Sequence, residues 1–214
     1  MNDLLTAARG YPHTVFNEGV GGTTSADGAS SINRILLRHP NASWCLVQYG
    51  TNDTNPFGLT LPSGLGLNPG DPGYPGTFKD NMQKIIDAIN SGGKKACLAK
   101  APIALGDSSG TYQDPDQAPG NILIKEYNQV IDELKNNVSN NILIIPPDFY
   151  SYFNYLDPST GLRRYEEEYA DIFHPNGIGY RSMSNLWFQA LTQFFRACKN
   201  GDVNAIKEYI SDSK

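Results

Sequence analysis

No apolar run in the 214 residues approaches the ~20 needed to span a bilayer. Met1-Asn2-Asp3-Leu4-Leu5 has neither the basic start nor the apolar stretch of a signal peptide. Positive charge is also scarce. With 17 Lys and Arg against 22 Asp and Glu the chain carries −5, in segments of mixed sign. It has no basic stripe of the kind that binds DNA or RNA, so no nucleic-acid partner is expected. Cysteine is limited to Cys45, Cys97 and Cys198, an odd set without the spacing of a disulfide framework, and the first two sit in apolar stretches that read as buried. The only histidines, His13, His39 and His174, are far apart and none pairs with a cysteine at zinc-like spacing, so no metal and no organic cofactor is implied. The sequence assigns neither a compartment nor an oligomeric state.

What is present is an alternation of short β-rich runs with longer segments of helical period, the pattern of a parallel sheet covered by helices on both faces. Strands are expected at 14–17, 44–49, 96–101 and 141–145. Helices are expected at 3–9, 26–38, 78–90, 122–136 and 178–198, with Gly92-Gly93 closing the third. Residues 54–77, dense in glycine and proline, read as a long loop leaving a strand end, which is expected to wall or cover a substrate site. Residues 106–120 read as a second loop on the same side of the sheet. One large domain over 1–196 and a helical tail over 197–214 are expected, and 197–207 resembles part of an ankyrin repeat, a unit that needs stacked neighbours.

Three segments carry the chemistry: Asn17-Glu18-Gly19-Val20-Gly21-Gly22-Thr23-Thr24, Gly50-Thr51-Asn52-Asp53 and Asp171-Ile172-Phe173-His174-Pro175. The first two follow expected strands and the third precedes the last helix, which puts all three at the carboxyl end of a parallel sheet, where ligands are handled. Singly each is weak; together, in this order, they are hard to obtain by accident. The chain resembles the SGNH or GDSL esterases and lipases to about residue 191, on these blocks and on the continuation Asn176-Gly177-Ile178-Gly179-Tyr180.

The resemblance implies a three-layer α/β/α flavodoxin-like fold, a small-molecule ester substrate and acyl transfer through a serine. It implies that Gly22 offers its N–H and Asn52 its side-chain amide to the oxyanion, with His174 as general base oriented by Asp171. Elementary chemistry suits these roles. A glycine N–H approaches a carbonyl with no Cβ in the way, and each preorganised donor contributes about 3–4 kcal/mol in the transition state. An imidazole can take and return a proton near neutral pH, and an aspartate on its Nδ1–H fixes the tautomer.

The chain departs from the family at the nucleophile. The Gly-Asp-Ser block of the first strand belongs upstream of Asn17, yet the 16 residues there contain no serine. The expected strands match the family's second to fifth, so the first is the missing one and the chain is expected to be N-terminally incomplete. Loss of an internal strand would open a gap of about 10 Å, which a stable core cannot keep. A second Gly-Asp-Ser, Gly106-Asp107-Ser108-Ser109-Gly110, fits a Gly-x-Ser-x-Gly elbow, but no helical pattern follows it. Three readings stand: an esterase whose serine strand lies outside this chain, an esterase using Ser108, or a non-catalytic binding module that keeps the pocket.

Overall fold

The first helix, α1 (Asn2–Arg9), stops at Gly10, whose φ of 75° ends the helical path. In this computed structural model, residues 1–54, 60–105, 115–116, 118–142 and 144–199 are described. Ser108, Phe57 and most of the ankyrin-like stretch lie outside the described residues. Helix α2 (Ser25–Arg38) begins at Thr24, whose hydroxyl accepts the Asp27 N–H while the Asp27 carboxylate accepts the Thr24 N–H. This reciprocal box satisfies two of the donors that a helix start leaves open. Strand β1 (Trp44–Val47), helix α3 (Phe78–Ser91), strand β2 (Lys95–Leu98) and helix α4 (Pro119–Asn136) follow. The chain then passes through α5 (Phe149–Asn154) and α6 (Arg164–Glu168) into α7 (Gly177–Lys199).

β1 and β2 pair in parallel, Trp44 opposite Lys95 and Val47 opposite Leu98. Their alternation builds two cores. Val47, Ala96 and Leu98 face α2, α3 and α4, where Phe78, Met82, Ile86 and Ile89 have no exposed surface. Cys97 faces the other way, into Phe149, Phe153, Trp187 and Leu191 of α5 and α7, joined by Leu5 of α1. Helices on both faces of a parallel sheet make an α/β fold of the expected layered kind.

Two expected strands do not form among the described residues. Residues 14–17 are exposed, Val15 by 39% and Phe16 by 57%, and β1 has no strand paired on its outer edge. With no partner for a ladder, the segment is held by side chains: Asn2 accepts the Val15 N–H, and the Phe16 ring stacks on His39 at 4.3 Å. Over 141–145, Asn141 takes a left-handed φ of 51° and Pro146-Pro147 follow. Proline has no N–H to continue a ladder. What remains of the pairing is a single parallel bridge, Lys100 with Asp148, supported by the Lys100 N–H donating to Pro147 O at 3.0 Å.

The glycine- and proline-rich loop also differs from expectation. Its described part, 60–77, is fastened to α4: Ser63 donates to Glu126 at 2.7 Å, Tyr127 donates to Leu61 O at 2.5 Å, and the Gly66 N–H donates to Glu133 at 3.1 Å. It braces the α3–α4 face, and none of 60–77 lines the cavity described next. No helix among the described residues is long and apolar enough to cross a membrane.

Candidate active site

The chain leaves β1 through Gly50, whose φ of +126° only glycine holds comfortably and whose position leaves no room for a Cβ against Ala101. That turn sends Asn52 into a short 3₁₀ turn, Asn52–Thr54. Gly22, at φ 79°, forms the tip of the turn that leads into α2, and Thr23 closes it with its N–H and hydroxyl both donating to Val20 O. The third segment sits between α6 and α7. Asp171 accepts the N–H groups of Phe173 and His174, each at 2.8 Å, and the His174 Nδ1 lies 2.9 and 3.0 Å from its two carboxylate oxygens.

These segments converge on one cavity of about 630 Å³. One wall is 19–23, a second is 48–52, and Phe173, His174 and Pro175 form a third, with Pro102, Tyr180 and Met183 completing an apolar side. Gly22, Asn52 and His174, predicted from three separate parts of the sequence, therefore share one space, and Asp171 stands behind His174. The Gly22 N–H makes no hydrogen bond among the described residues. The Asn52 amide donates to Thr23 O at 3.0 Å, which uses one of its two hydrogens and joins the two donor loops.

The dyad is open to solvent, with 69% of the His174 side chain and 54% of Asp171 exposed. The Phe173 N–H, followed by the bonds from His174, holds the Asp171 carboxyl below its ordinary value, so it stays ionised and accepts from the ring. Asp53 is the opposite case. It has no exposed surface, and burial raises its pKa against the bonds it accepts from Ser25 and Gly50. The sequence pattern contained Asp53 but gave no sign of its burial. Pro102, Tyr180 and Met183 also escaped sequence reading as cavity residues, although Tyr180 lies in the block that continues from Pro175. Among the described residues lining the cavity there is no serine or cysteine; its hydroxyls belong to Thr23, Tyr49, Thr51 and Tyr180. No cluster of three or more His, Cys, Asp or Glu fit to hold a metal occurs among the described residues.

The family model for GDSL-like lipases and acylhydrolases matches residues 3–182. The chain belongs to that family. The fold of this GDSL-like chain is similar to that of a candidate acylhydrolase from Bacteroides fragilis NCTC 9343, with a TM-score of 0.58 and 18% identity over 87% of this chain and 76% of that one. It is likewise similar to a catalytic mutant of an acetylxylan esterase from Geobacillus stearothermophilus, with a TM-score of 0.60, 16% identity and the same coverage of 87% and 76%. A search of curated protein sequences gives no match. At these identities the solved structures establish the shared fold, and the family match establishes the hydrolase lineage of the GDSL-like chain.

Proposed function

We propose that this chain carries the general base and the oxyanion donors of a carboxylic-ester hydrolase. In this reading a serine hydroxyl attacks the ester carbonyl, and His174 Nε2 takes its proton. The Gly22 N–H and the free hydrogen of the Asn52 amide receive the oxyanion. Collapse of the tetrahedral intermediate expels the alcohol, protonated by His174, and water then releases the acid by the same steps in reverse order. Asp171 keeps the imidazole in the tautomer whose Nε2 is unprotonated and stabilises the imidazolium that forms. No step calls for a metal or an organic cofactor.

The observation that carries the reading is the meeting of Gly22, Asn52 and His174 on one cavity. The cavity volume of about 630 Å³ suits a small ester. Its apolar lining residues Pro102, Phe173 and Met183 suit a short acyl group, such as the acetyl group in the name of the acetylxylan esterase neighbour.

The test is hydrolysis of p-nitrophenyl acetate by the full chain, with a fluorophosphonate probe and mass spectrometry to locate the labelled hydroxyl. His174→Ala is expected to lower the rate by about 10³-fold or more. A loss below about tenfold would sink the assignment of His174. Labelling at Ser108 would assign the nucleophile there. The absence of serine and cysteine from the described lining supports one second reading, a pocket that binds an ester without cleaving it. Saturable binding of p-nitrophenyl acetate with no turnover and no label would favour that reading.

A further inference from the structure

Asp53 follows Asn52 directly, and its carboxylate is wholly buried. One oxygen, Oδ1, accepts the Ser25 N–H at 2.9 Å and the Ser25 hydroxyl in a short hydrogen bond. The other, Oδ2, accepts the Gly50 N–H at 3.1 Å. Ser25 is the first residue of α2, three positions after Gly22, and Asn81 of α3 donates to its hydroxyl at 3.3 Å. A single carboxylate thus joins the loop that carries Asn52 to the loop that carries Gly22.

The reciprocal box of Thr24 and Asp27 leaves the Ser25 N–H open, so Asp53 completes the capping of α2, and its further bond from the Gly50 N–H ties that helix start to the turn after β1. Burying an ionisable group is unfavourable unless it is bonded, and here its donors are Ser25, at the start of α2 just after the Gly22 turn, and Gly50, in the turn that carries Asn52. The acceptor-only carboxylate matches these N–H and O–H groups, and the N-terminus of α2 favours its charge.

We propose that Asp53 is the positioning residue of the oxyanion hole, setting the separation between the Gly22 N–H and the Asn52 side-chain amide. The role rests on the hydrolase reading above, and the experiment separates the two. In the full chain, Asp53→Asn keeps the side chain's shape but turns an amide N–H against the Gly50 N–H. The kcat for p-nitrophenyl acetate is expected to fall about 100-fold, with KM within about threefold of the parent. In 1H–15N spectra the Gly22 backbone amide and the Asn52 side-chain amide are expected to shift while the His174 ring signals stay in place.

Ser25→Ala removes only the hydroxyl donor. It is expected to move the same two signals by less, and it decides the question if Asp53→Asn does not fold. Unmoved Gly22 and Asn52 signals in a folded Asp53→Asn protein, or in Ser25→Ala where that variant decides, overturn the proposal, as does a rate loss carried by KM alone. A parent chain without turnover removes the hydrolase reading, and the spectra then decide whether Asp53 holds the two loops in register.

Discussion

Replacing Gly50 with alanine tests how tightly the turn after β1 is built. The new Cβ would lie 2.9 Å from the Ala101 Cβ and 3.6 Å from the Tyr127 ring, at a φ of +126°. Ala101 cannot easily retreat. Its N–H donates to Asn128 Oδ1 at 2.7 Å and its carbonyl accepts the Asn128 amide at 3.2 Å. The backbone conformation costs a residue with a Cβ about 1–3 kcal/mol, and overpacking adds about 1–3 kcal/mol. A total near 4 kcal/mol corresponds to a fall in Tm of about 8–16 °C for a domain of this size. Gly161→Ala is the control, since Gly161 has a φ of +72° but nothing within 4 Å of a built Cβ. It carries only the backbone cost, about 1–2 kcal/mol, or about 2–8 °C. Thermal unfolding followed by circular dichroism, with denaturant titration as a second measure, gives both values. Equal losses for the two variants would refute the steric argument and with it the claim that Gly50 is pinned between Ala101 and Tyr127.

Three further outcomes are expected. Asp27 and Asp171 both have lowered pKa values, Asp27 through bonds from Thr24 and Asp171 through the Phe173 N–H. Each therefore adds stability that is present above its unfolded value near pH 4 and is lost as pH falls through the lower folded value. Urea titrations of the parent and of Asp27→Asn with Asp171→Asn should diverge above about pH 4 and converge below it, and a constant difference would contradict the assignment. Tyr127→Phe removes the hydroxyl whose single hydrogen Asp53 O, at 2.9 Å, and Leu61 O share, and should cost about 1–3 kcal/mol in urea unfolding; a change below about 0.5 kcal/mol would show that these carbonyls find other partners. Cys97 has no exposed surface, and burial raises its thiol pKa, so iodoacetamide should label it only after unfolding; labelling of the native chain would contradict its place in the core.

The longer helices were legible because their period is a local property of the chain, whereas α5 and α6, of six and five residues, are too short to show one. The expected 26–38 and 78–90 became Ser25–Arg38 and Phe78–Ser91, and α4 began three residues early because Pro119 suits a first turn. Strand formation is not local in the same way. Residues 14–17 have a suitable β-rich pattern, but a strand exists only where a neighbour supplies the other half of each hydrogen bond. The glycine and proline content of 54–77 announced irregular backbone, whereas its docking depends on Glu126 and Glu133, far along the chain. The convergence of the motifs was legible: Gly22, Asn52 and His174 line one cavity. Asp53 was not, because an acid beside a turn reads as solvated until the packing of Ser25 and Asn81 around it is known.

The dyad and the donors are held together over very different distances. Asp171 and His174 are fixed within a single turn, whose ends are joined by the Ala170 N–H donating to His174 O at 2.8 Å. That geometry lies within five consecutive residues, and the Leu105 N–H, which donates to Ile172 O at 2.7 Å, fastens the turn to the chain that leaves β2. The separation of Gly22 from Asn52 exists only when α2 has docked beside the end of β1. In the proposed reading the proton-handling part is thus close in sequence, and the charge-stabilising part is a product of tertiary assembly. As the fold loosens, the imidazole should keep its partner after the two donors have drifted apart. An early loss of rate on partial unfolding would then report the separation of those loops while the base remains intact.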